Sequence, residues 1–195
     1  MNTTKKNYHH GDLKNDLLTK GIAMLNVVGL EGFSFNKLAK ECSVTPPAIY
    51  AHFKSKEDLL IAIREKVLIE FQNFLYQTPR NSDGSYLPVE FGINYIKFFM
   101  ENPQYFDFLS QFNVNPVNID NINDLQNRCP FLMFKDSMKK YYIYQNMSED
   151  KITQSIFSKW AMVVGLSYTI VKKRALFSGN WLELCRSILL ENLKN

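Results

Sequence analysis

The residues with the clearest chemical potential lie in the stretch TPPAIYAHFKSK, which runs from Thr45 to Lys56. Tyr50, His52, Lys54 and Lys56 occupy alternate positions, and their hydroxyl, imidazole and ammonium groups can donate hydrogen bonds to phosphate oxygens. The threonine hydroxyl and two proline rings at the start of the stretch offer polar and apolar contacts to base edges and thymine methyl groups. The stretch therefore indicates a nucleic-acid-binding surface.

The net charge of the chain is concentrated around this stretch. The 195 residues carry a formal net charge of +4, and residues 1–56 hold eight lysines against four acidic residues. Residues 57–195 hold fifteen basic and fifteen acidic side chains, so the whole excess lies in the first segment. A cationic segment joined to a neutral one favours a polyanionic partner for the first 56 residues.

Other kinds of site are not indicated by the sequence. Cys42, Cys129 and Cys185 are unevenly spaced, which matches neither a disulfide framework nor a zinc site and fits a reducing cytoplasm. All histidines precede residue 57 and no glycine-rich phosphate loop occurs, so we predict no enzyme, no metal and no cofactor. No apolar run approaches the roughly 18 residues of a membrane span and no signal peptide is recognised, so we expect a cytoplasmic protein without membrane contact.

The elements that would position these residues are short helices. The first N–H groups of a helix have no internal partner, so the two prolines can begin one at no hydrogen-bonding cost, with Thr45 as N-cap and an end near Phe53. Ser34 is a suitable N-cap for the helix before it, and Gly29 is expected to close the first helix. Two short helices joined by a turn of three to four residues form a helix-turn-helix, whose second helix enters the major groove.

Helical periodicity continues through the rest of the chain, and no strand pattern is found. We therefore predict an all-α fold of about nine helices, with a three-helix helix-turn-helix head on a larger helical domain for ligand binding and dimerisation. The predicted domains are residues 1–56 and residues 57–195. A long fourth helix from Lys56 would join them, and the penultimate helix is expected to run from Ser148 to about Phe177.

Residues 8–60 resemble the N-terminal domain of the TetR family of transcriptional regulators. The resemblance rests on YHHGDL at residues 8–13, on GLEGFS at residues 29–34 and, most specifically, on YAHFKSKEDLL at residues 50–60. It implies a repressor that binds a palindromic double-stranded DNA operator as a homodimer and is released by an effector. An all-α protein-interaction module that no longer binds DNA, and a helical enzyme, are the alternatives.

The predicted DNA-binding residues come from this resemblance and from their neighbours. The resemblance assigns DNA contacts, by position, to Ser34, Thr45, Pro46, Pro47, Tyr50, His52 and Lys56. Asn36, Lys37 and Lys54 complete the predicted set. Two successive prolines depart from the small polar residues common at this place in the family, so the operator sequence does not follow from the resemblance.

Aromatic residues in the second part of the chain predict an apolar effector pocket with tyrosine hydroxyls for polar recognition, although aromatic residues at helical spacing are more often plain core. The predicted lining is Phe91, Tyr95, Phe99, Tyr105, Phe108, Phe112, Phe134 and Tyr141. The expected effector is a small hydrophobic or aromatic molecule.

Two apolar stripes on the last two helices predict the surface of a homodimer, in which a four-helix bundle would form with a second copy. The predicted surface is Trp160, Val164, Tyr168, Val171, Trp181, Leu184 and Ile188, and intrachain core is the alternative for each. Residues 102–110 and 160–166 also resemble, weakly, one class of TetR C-terminal domains that carries Trp-x-x-x-His-Gly, with Val164 in place of the histidine.

Overall fold

The computed structural model describes residues 10–111 and 130–193 of the chain. Within these ranges the elements are helices, and the single exception is an isolated antiparallel bridge between Arg80 and Tyr86. The prediction of an all-α fold is confirmed. Residues 8 and 9 of the first motif and the predicted pocket residue Phe112 lie outside the described residues.

The described part of the chain contains nine helices. They are α1 (His10–Gly32), α2 (Phe35–Glu41), α3 (Pro46–Tyr50), α4 (Lys56–Leu75), α5 (Pro88–Glu101), α6 (Pro103–Gln111), α7 (Pro130–Tyr144), α8 (Glu149–Val171) and α9 (Trp181–Leu193).

The chain divides into two compact units, Met1–Val67 and Leu68–Asn195, and the division falls inside α4. We call the first unit the head and the second the body. A division by compactness does not test where DNA binding ends and ligand binding begins, so the functional boundary after residue 56 stays a prediction.

The head is built around a small, mainly aliphatic core. Leu17 of α1, Leu38 of α2, Ile49 of α3 and Leu59 and Ile63 of α4 are all fully buried. Each helix thus contributes one apolar face, and their shared core holds α3 against the other three helices.

Two helix ends in the head differ from the prediction. The first helix continues to Gly32, although Gly29 interrupts its geometry with φ 66° and ψ −176°. A positive φ is readily adopted by glycine because it has no Cβ, so the expected break occurs as a kink rather than an end. The third helix ends at Tyr50, three residues before Phe53, because the amides of His52 and Phe53 both donate to the carbonyl of Ile49 and close the chain into a turn.

The body differs from the prediction at the end of α8. This helix ends at Val171, well before Phe177. Lys173 adopts a left-handed conformation with φ 50°, and the amide of Arg174 turns back to donate to the carbonyl of Thr169. Helices commonly end at such a left-handed residue. The composition of residues 172–177 does not predict that the helix ends there.

Aromatic rings dominate the core of the body. The ring of Phe71 stacks on Phe98 at 4.4 Å between centroids and meets Tyr95 and Phe99 edge-on at 5.2 and 4.9 Å. Tyr95 also contacts Trp160 of α8 at 5.1 Å, so the network joins α4, α5 and α8. Edge-to-face and offset pairs of this kind add about 0.5–1.5 kcal/mol each beyond the burial of area.

Candidate nucleic-acid interface

The second helix of the head begins with a formed N-cap. Ser34 has an extended backbone, and its hydroxyl accepts a hydrogen bond from the amide of Lys37 at 3.3 Å. This bond satisfies one of the N–H groups that a helix start leaves without a partner. The predicted capping role of Ser34 is confirmed, and the cap holds its side chain beside the exposed Asn36 and Lys37.

A four-residue turn, Cys42–Thr45, joins α2 to α3. Ser43 takes a positive φ of 55°, and the amide of Val44 donates to the carbonyl of Ala39 at 2.9 Å. This left-handed closure ends α2 and redirects the chain at once into α3. Cys42 is fully buried at the turn, and burial raises the pKa of its thiol, as do Asp16 and Glu41 nearby.

The third helix presents polar groups at its start and buries one residue. Thr45 occupies the N-cap position with an extended backbone, but its side chain makes no capping hydrogen bond, contrary to the expectation. Ile49 is fully buried, whereas Thr45 and Pro47 are exposed and Pro46 is half-buried. The hydroxyl of Thr45 is therefore not used in capping α3 and points to a surface role.

Tyr50 closes the helix on the same surface. Its side chain is 56% exposed, which leaves the phenol hydroxyl accessible. The ring meets Phe35 of α2 edge-on, with 5.0 Å between centroids. Phe35 thus supports the orientation of an exposed tyrosine, and His52 lies half-buried two residues further on.

The connection from α3 to α4 is held by Ser55 and Asp58. The hydroxyl of Ser55 accepts from the amide of Asp58 at 3.0 Å, and the carboxylate of Asp58 accepts from the amide of Lys54 at 3.0 Å. The sequence predicts Ser55 as the cap of the fourth helix with Asp58 in its first turn, and this cap is confirmed. It leaves the side chain of Lys54 exposed.

Two of the predicted lysines also make contacts inside the head. The ammonium of Lys37 donates to the carbonyl of Gly32 at 3.1 Å, and that of Lys56 donates to the carbonyl of Leu30 at 3.3 Å. The Lys56 ammonium also lies 5.7 Å from the centre of the Phe33 ring. Sequence spacing gave no sign of these bonds, because they depend on where α1 ends in space.

The ten predicted DNA-binding residues all belong to the head and lie on α2, α3, the turns beside them and the first residue of α4. Seven are exposed and three are half-buried. The exposed residues are Asn36, Lys37, Thr45, Pro47, Tyr50, Lys54 and Lys56, and the half-buried ones are Ser34, Pro46 and His52. This arrangement is a helix-turn-helix with cationic and hydroxyl-bearing side chains around its second helix.

The predicted pocket residues lie in the core of the body. Tyr141 is half-buried and Phe112 is outside the described residues; the others are buried, namely Phe91, Tyr95, Phe99, Tyr105, Phe108 and Phe134. Several of them contact one another's rings or those of neighbours, as Phe91 does with Phe134 at 5.9 Å and Tyr95 with Phe99 at 5.1 Å. Their role as a lining of a pocket stays a prediction.

The predicted dimer residues fall into three groups. The Trp160 ring contacts Tyr95, Phe131 and Phe134 of its own chain, so this residue contributes to the core of the body. Tyr168 is 44% exposed. The remaining five are half-buried: Val164, Val171, Trp181, Leu184 and Ile188.

Three further residues on α8 and α9 are exposed and apolar or small, and the sequence analysis did not select them. Phe157 and Leu190 are 44% and 46% exposed, and a Cβ added to Gly165 would meet nothing within 4 Å. Phe157 and Gly165 share one face of α8, since eight residues make just over two turns. The recurrence of small and apolar residues at intervals of four was the available signal.

Two further observations bear on the class of protein. Within residues 10–111 and 130–193, no three side chains of the His, Cys, Asp and Glu types form a cluster able to hold a metal ion. None of the helices in the described ranges is both long and apolar enough to cross a membrane.

Comparison with known proteins agrees with the geometry of the head. Residues 17–63 match the family described as bacterial regulatory proteins, tetR family. The tetracycline repressor proteins of class A, from transposon 1721, and of class C, both of Escherichia coli, are 38% and 39% identical to this chain over 69 and 67 residues. These matches cover 35% and 34% of this chain and 31% and 30% of those proteins, so the chain spans about a third of the curated relatives that it matches.

Solved structures resemble the chain over nearly its whole length. A Rhodococcus protein of unknown function has a TM-score of 0.75 and 15% identity, with 97% of this chain and 98% of that chain covered. A TetR-family transcriptional regulator from Haemophilus influenzae has a TM-score of 0.59 and 21% identity, with 94% and 96% covered. At these identities the likeness establishes the fold.

The head is thus a helix-turn-helix domain, of the class found in DNA-binding regulators of transcription. Residues 17–63 of the head match the TetR family of bacterial regulatory proteins, and the described helical fold resembles that of a solved TetR-family regulator.

Proposed function

We propose that the protein is a sequence-specific transcriptional regulator, and more closely a ligand-responsive repressor that binds a palindromic operator as a homodimer. The observation that carries the proposal is the exposed surface of α3, where Thr45 before its start and Tyr50 at its end are both accessible within a domain that matches the TetR family. The curated relatives are named as repressors, which supports repression as the mode of action.

The side chains around α3 are suited to two kinds of DNA contact, to bases and to phosphates. Thr45, Pro46 and Pro47 start the helix that would enter the major groove, so they are suited to contacts with base edges and thymine methyl groups. Tyr50 and Lys54 carry donors for phosphate oxygens, which set the register of the helix without reading sequence. The excess of four positive charges in residues 1–56 favours association with DNA at low salt.

A homodimer is supported by the exposed face of α8 and α9. Phe157, Gly165, Tyr168 and Leu190 leave an apolar surface, and Gly165 would permit close approach of a second helix. A two-fold dimer presents two heads to two half-sites, so it requires a palindrome with half-sites roughly 34–36 Å apart or a multiple of that spacing.

An uncharged effector is supported by the composition of the body's core. The buried polar residues of the described body are Gln72, Thr78, Ser85, Ser137 and Ser167, and none of them carries a charge. An ionic effector would need a buried counter-charge there, since an unpaired buried charge is costly. Neutral aromatic molecules suit such surroundings.

The first experiment is selection of genomic DNA fragments by the purified full-length protein, followed by measurement of affinity at about 50 and 200 mM salt, where phosphate contacts weaken strongly. Tyr50→Ala is the test variant. Tyr76→Ala is its matched control, because these tyrosines are 56% and 54% exposed and only Tyr50 belongs to the predicted interface. We expect Tyr50→Ala to lose preference for the selected fragment and Tyr76→Ala to keep it. Enrichment of no fragment would favour an interaction module instead.

The dimer is tested separately by Gly165→Arg. An arginine there meets no atom of its own chain at the Cβ, so the fold should persist while a second helix is pushed away. We expect sedimentation at twice the mass of one chain for the unmodified protein and at the mass of one chain for the variant. Asn73→Arg on the exposed side of α4 is the control, and a variant that stays dimeric would contradict this interface.

A further inference from the structure

The first turns of α1 reach the predicted interface of the head, although none of the ten predicted residues lies on this helix. The ammonium of Lys14 lies 5.7 Å from the centre of the Phe53 ring. Phe53 is buried in the turn between α3 and α4, and His52 and Lys54 stand on either side of it in the chain. Two predicted DNA-binding residues therefore flank the ring against which the Lys14 side chain lies.

The contact with Phe53 orients the ammonium of Lys14 but leaves its charge and its hydrogen-bond donors in place. A cation over an aromatic ring at an exposed site gains about 0.5–1 kcal/mol from the electrostatics of the ring, which carries no counter-charge. Lys14 is exposed, and within the described residues its ammonium makes no hydrogen bond or ion pair. The ammonium is therefore available to an anion from outside the chain.

Two other lysines that contact α1 are engaged inside the head. The ammonium of Lys20 pairs with the aspartate one turn before it, at 3.0 Å. The ammonium of Lys66, on α4, donates to Asn15 Oδ1 at 3.0 Å and to Thr19 Oγ1 at 2.9 Å. These two ammonium groups have partners in the fold, whereas that of Lys14 is held at the surface by a ring alone.

We propose that Lys14 binds a DNA phosphate, so that the interface of the head extends beyond α2, α3 and the start of α4 to the first turns of α1. The inference rests on the proposed function, because it adds a contact to the same surface. A lysine is a flexible point charge, which suits a backbone phosphate and carries no sequence information. No local pattern in α1 predicts this contact, since Phe53 lies far along the chain.

The first experiment measures how the affinity of the full-length protein for the selected DNA fragment depends on salt. The test variant is Lys14→Met, which keeps an unbranched apolar stem and removes the charge. The slope of log K against log salt should fall by about 0.9 per head, so the loss of affinity should be roughly 3.5-fold larger per head at about 50 mM than at about 200 mM salt. Lys14→Arg keeps the charge and should keep the slope.

The matched control is Lys66→Met, which removes the same charge from the head at an ammonium that already has two partners on α1. Its slope should equal that of the unmodified protein. An equal fall of the slope in Lys66→Met and Lys14→Met would show an effect of net charge and would overturn the proposal. An unchanged slope in Lys14→Met, with operator preference intact, would overturn this proposal alone.

The same slopes on unrelated DNA separate this proposal from the proposed function. If the protein prefers no fragment but the slope still depends on Lys14, the phosphate contact stands and sequence-specific regulation fails. An absence of binding to any DNA would overturn both.

The second experiment locates the phosphate by ethylation of the operator, which removes the charge of one phosphate at a time. In each half-site we expect a position where ethylation weakens the unmodified protein and has no effect on Lys14→Met. This position should neighbour the one that responds to Lys54→Met, because Lys54 follows the ring that Lys14 contacts. The absence of such a position would refute a direct contact even if the salt slope had changed.

Amide exchange in α1 tests whether Lys14 acts through the fold instead. Exchange in Lys14→Met should stay within about fivefold of the unmodified rate, the most that an exposed contact between a cation and a ring contributes. A larger change would mean that Lys14 stabilises the head, and the loss of DNA affinity could not then be assigned to a phosphate contact, which would overturn the proposal.

Discussion

The head and the body are held together by different interactions. In the head, helix starts are fixed by polar bonds, such as the Ser34 and Ser55 caps, around a mainly aliphatic core that also includes Phe33, Phe35 and Phe53. In the body, most of the described ring pairs occur, and Phe71 alone takes part in three of them. Polar bonds at helix ends depend on particular residue types at particular positions, whereas a core of rings depends mainly on volume.

This difference accounts for what the comparisons found. Recognisable sequence similarity is concentrated in residues 17–63, while relatives of the whole fold share only 11–21% of their residues with this chain. A head whose helix ends need particular capping residues restricts its sequence. A core of rings can be rebuilt with other apolar residues without loss of the fold.

The largest effect is expected from the centre of the ring network. Phe71→Ala should lower the free energy of unfolding of the body by about 3–5 kcal/mol, the usual range for a buried phenylalanine. Both tryptophans, Trp160 and Trp181, lie in the body, so their fluorescence in a denaturant titration reports that unit. Tyr76→Ala, at a 54% exposed position, is the control and should stay within about 0.5 kcal/mol. A loss below about 1.5 kcal/mol for Phe71→Ala would mean that the rings are not a cooperative core.

The second prediction compares close helix contacts in the two units. A Cβ at Gly92 would lie 2.9 Å from Leu189 Cδ1 and 3.1 Å from Val163 Cγ2, on two different helices. At Gly21 it would meet mainly Ile63, whose Cδ1 lies 2.6 Å away at the end of a side chain that can rotate. Adding a methyl group to a packed site destabilises a protein by about 1–3 kcal/mol. Replacing glycine by alanine within a helix offsets about 1 kcal/mol of this cost, because alanine has the higher helix propensity.

We therefore expect Gly92→Ala to destabilise the body by about 1–2 kcal/mol and Gly21→Ala to change the head by less than about 1 kcal/mol, because Val163 is β-branched and stiff. Tryptophan fluorescence measures the first, and amide exchange in α1 measures the second. Equal costs at the two glycines would show that the head is packed as tightly as the body.

The third prediction distinguishes a helix-capping role from a DNA-contacting role for two hydroxyl-bearing residues of the head. Ser34→Ala removes a formed cap and should cost about 1 kcal/mol of head stability. Thr45→Ala removes a hydroxyl that makes no capping bond, so the stability of the head should be nearly unchanged while operator affinity falls. Amide exchange of α2 and α3 and DNA binding are measured on the same preparations. A comparable loss of stability in both variants would show that Thr45 caps α3 in solution.

The sequence was informative where structure depends on local chemistry. The start of α2 at Ser34, the proline start of α3 and the all-α class follow from capping and periodicity. The sequence did not disclose the end of α8 at Val171, because residues 172–177 remain compatible with a helix. It ends where Lys172 forms an ion pair with Asp107 of α6 and Lys173 turns left-handed.

Interactions between distant residues limited the site predictions in the same way. The DNA contact of Lys56 stays a prediction, and the structure adds a hydrogen bond from its ammonium to the carbonyl of Leu30, 26 positions away. Trp160 fits an exposed stripe by its spacing, yet its ring contacts Phe131 and Phe134 of α7. In both cases periodicity predicted the helix correctly, and the direction of one side chain depended on a neighbour that no local pattern specifies.

The smallest effect concerns the loop before α5, where the body uses polar bonds of the kind that hold the head. Asp83 accepts from the hydroxyl and the amide of Ser85 at 2.6 and 2.9 Å and from the hydroxyl of Tyr144 at 3.4 Å. The hydrogen bonds from Ser85 hold the pKa of this carboxyl below its ordinary value, with Lys140 and Tyr144 acting in the same direction.

A carboxyl with a lowered pKa contributes stability that is present above the unfolded-state pKa and is lost as the pH falls through the folded-state pKa. Asp83→Asn should therefore be slightly less stable than the unmodified protein at pH 7, and the difference should shrink as the pH falls below the ordinary carboxyl value of 3.8. Asp136→Asn on α7 is the control, at an exposed aspartate whose described interaction is an ion pair with the adjacent Lys135 at 3.8 Å rather than a set of hydrogen bonds. A difference that stays constant over this pH range would mean that the loop is held by its backbone bonds alone, and that polar side chains organise the head but not the body.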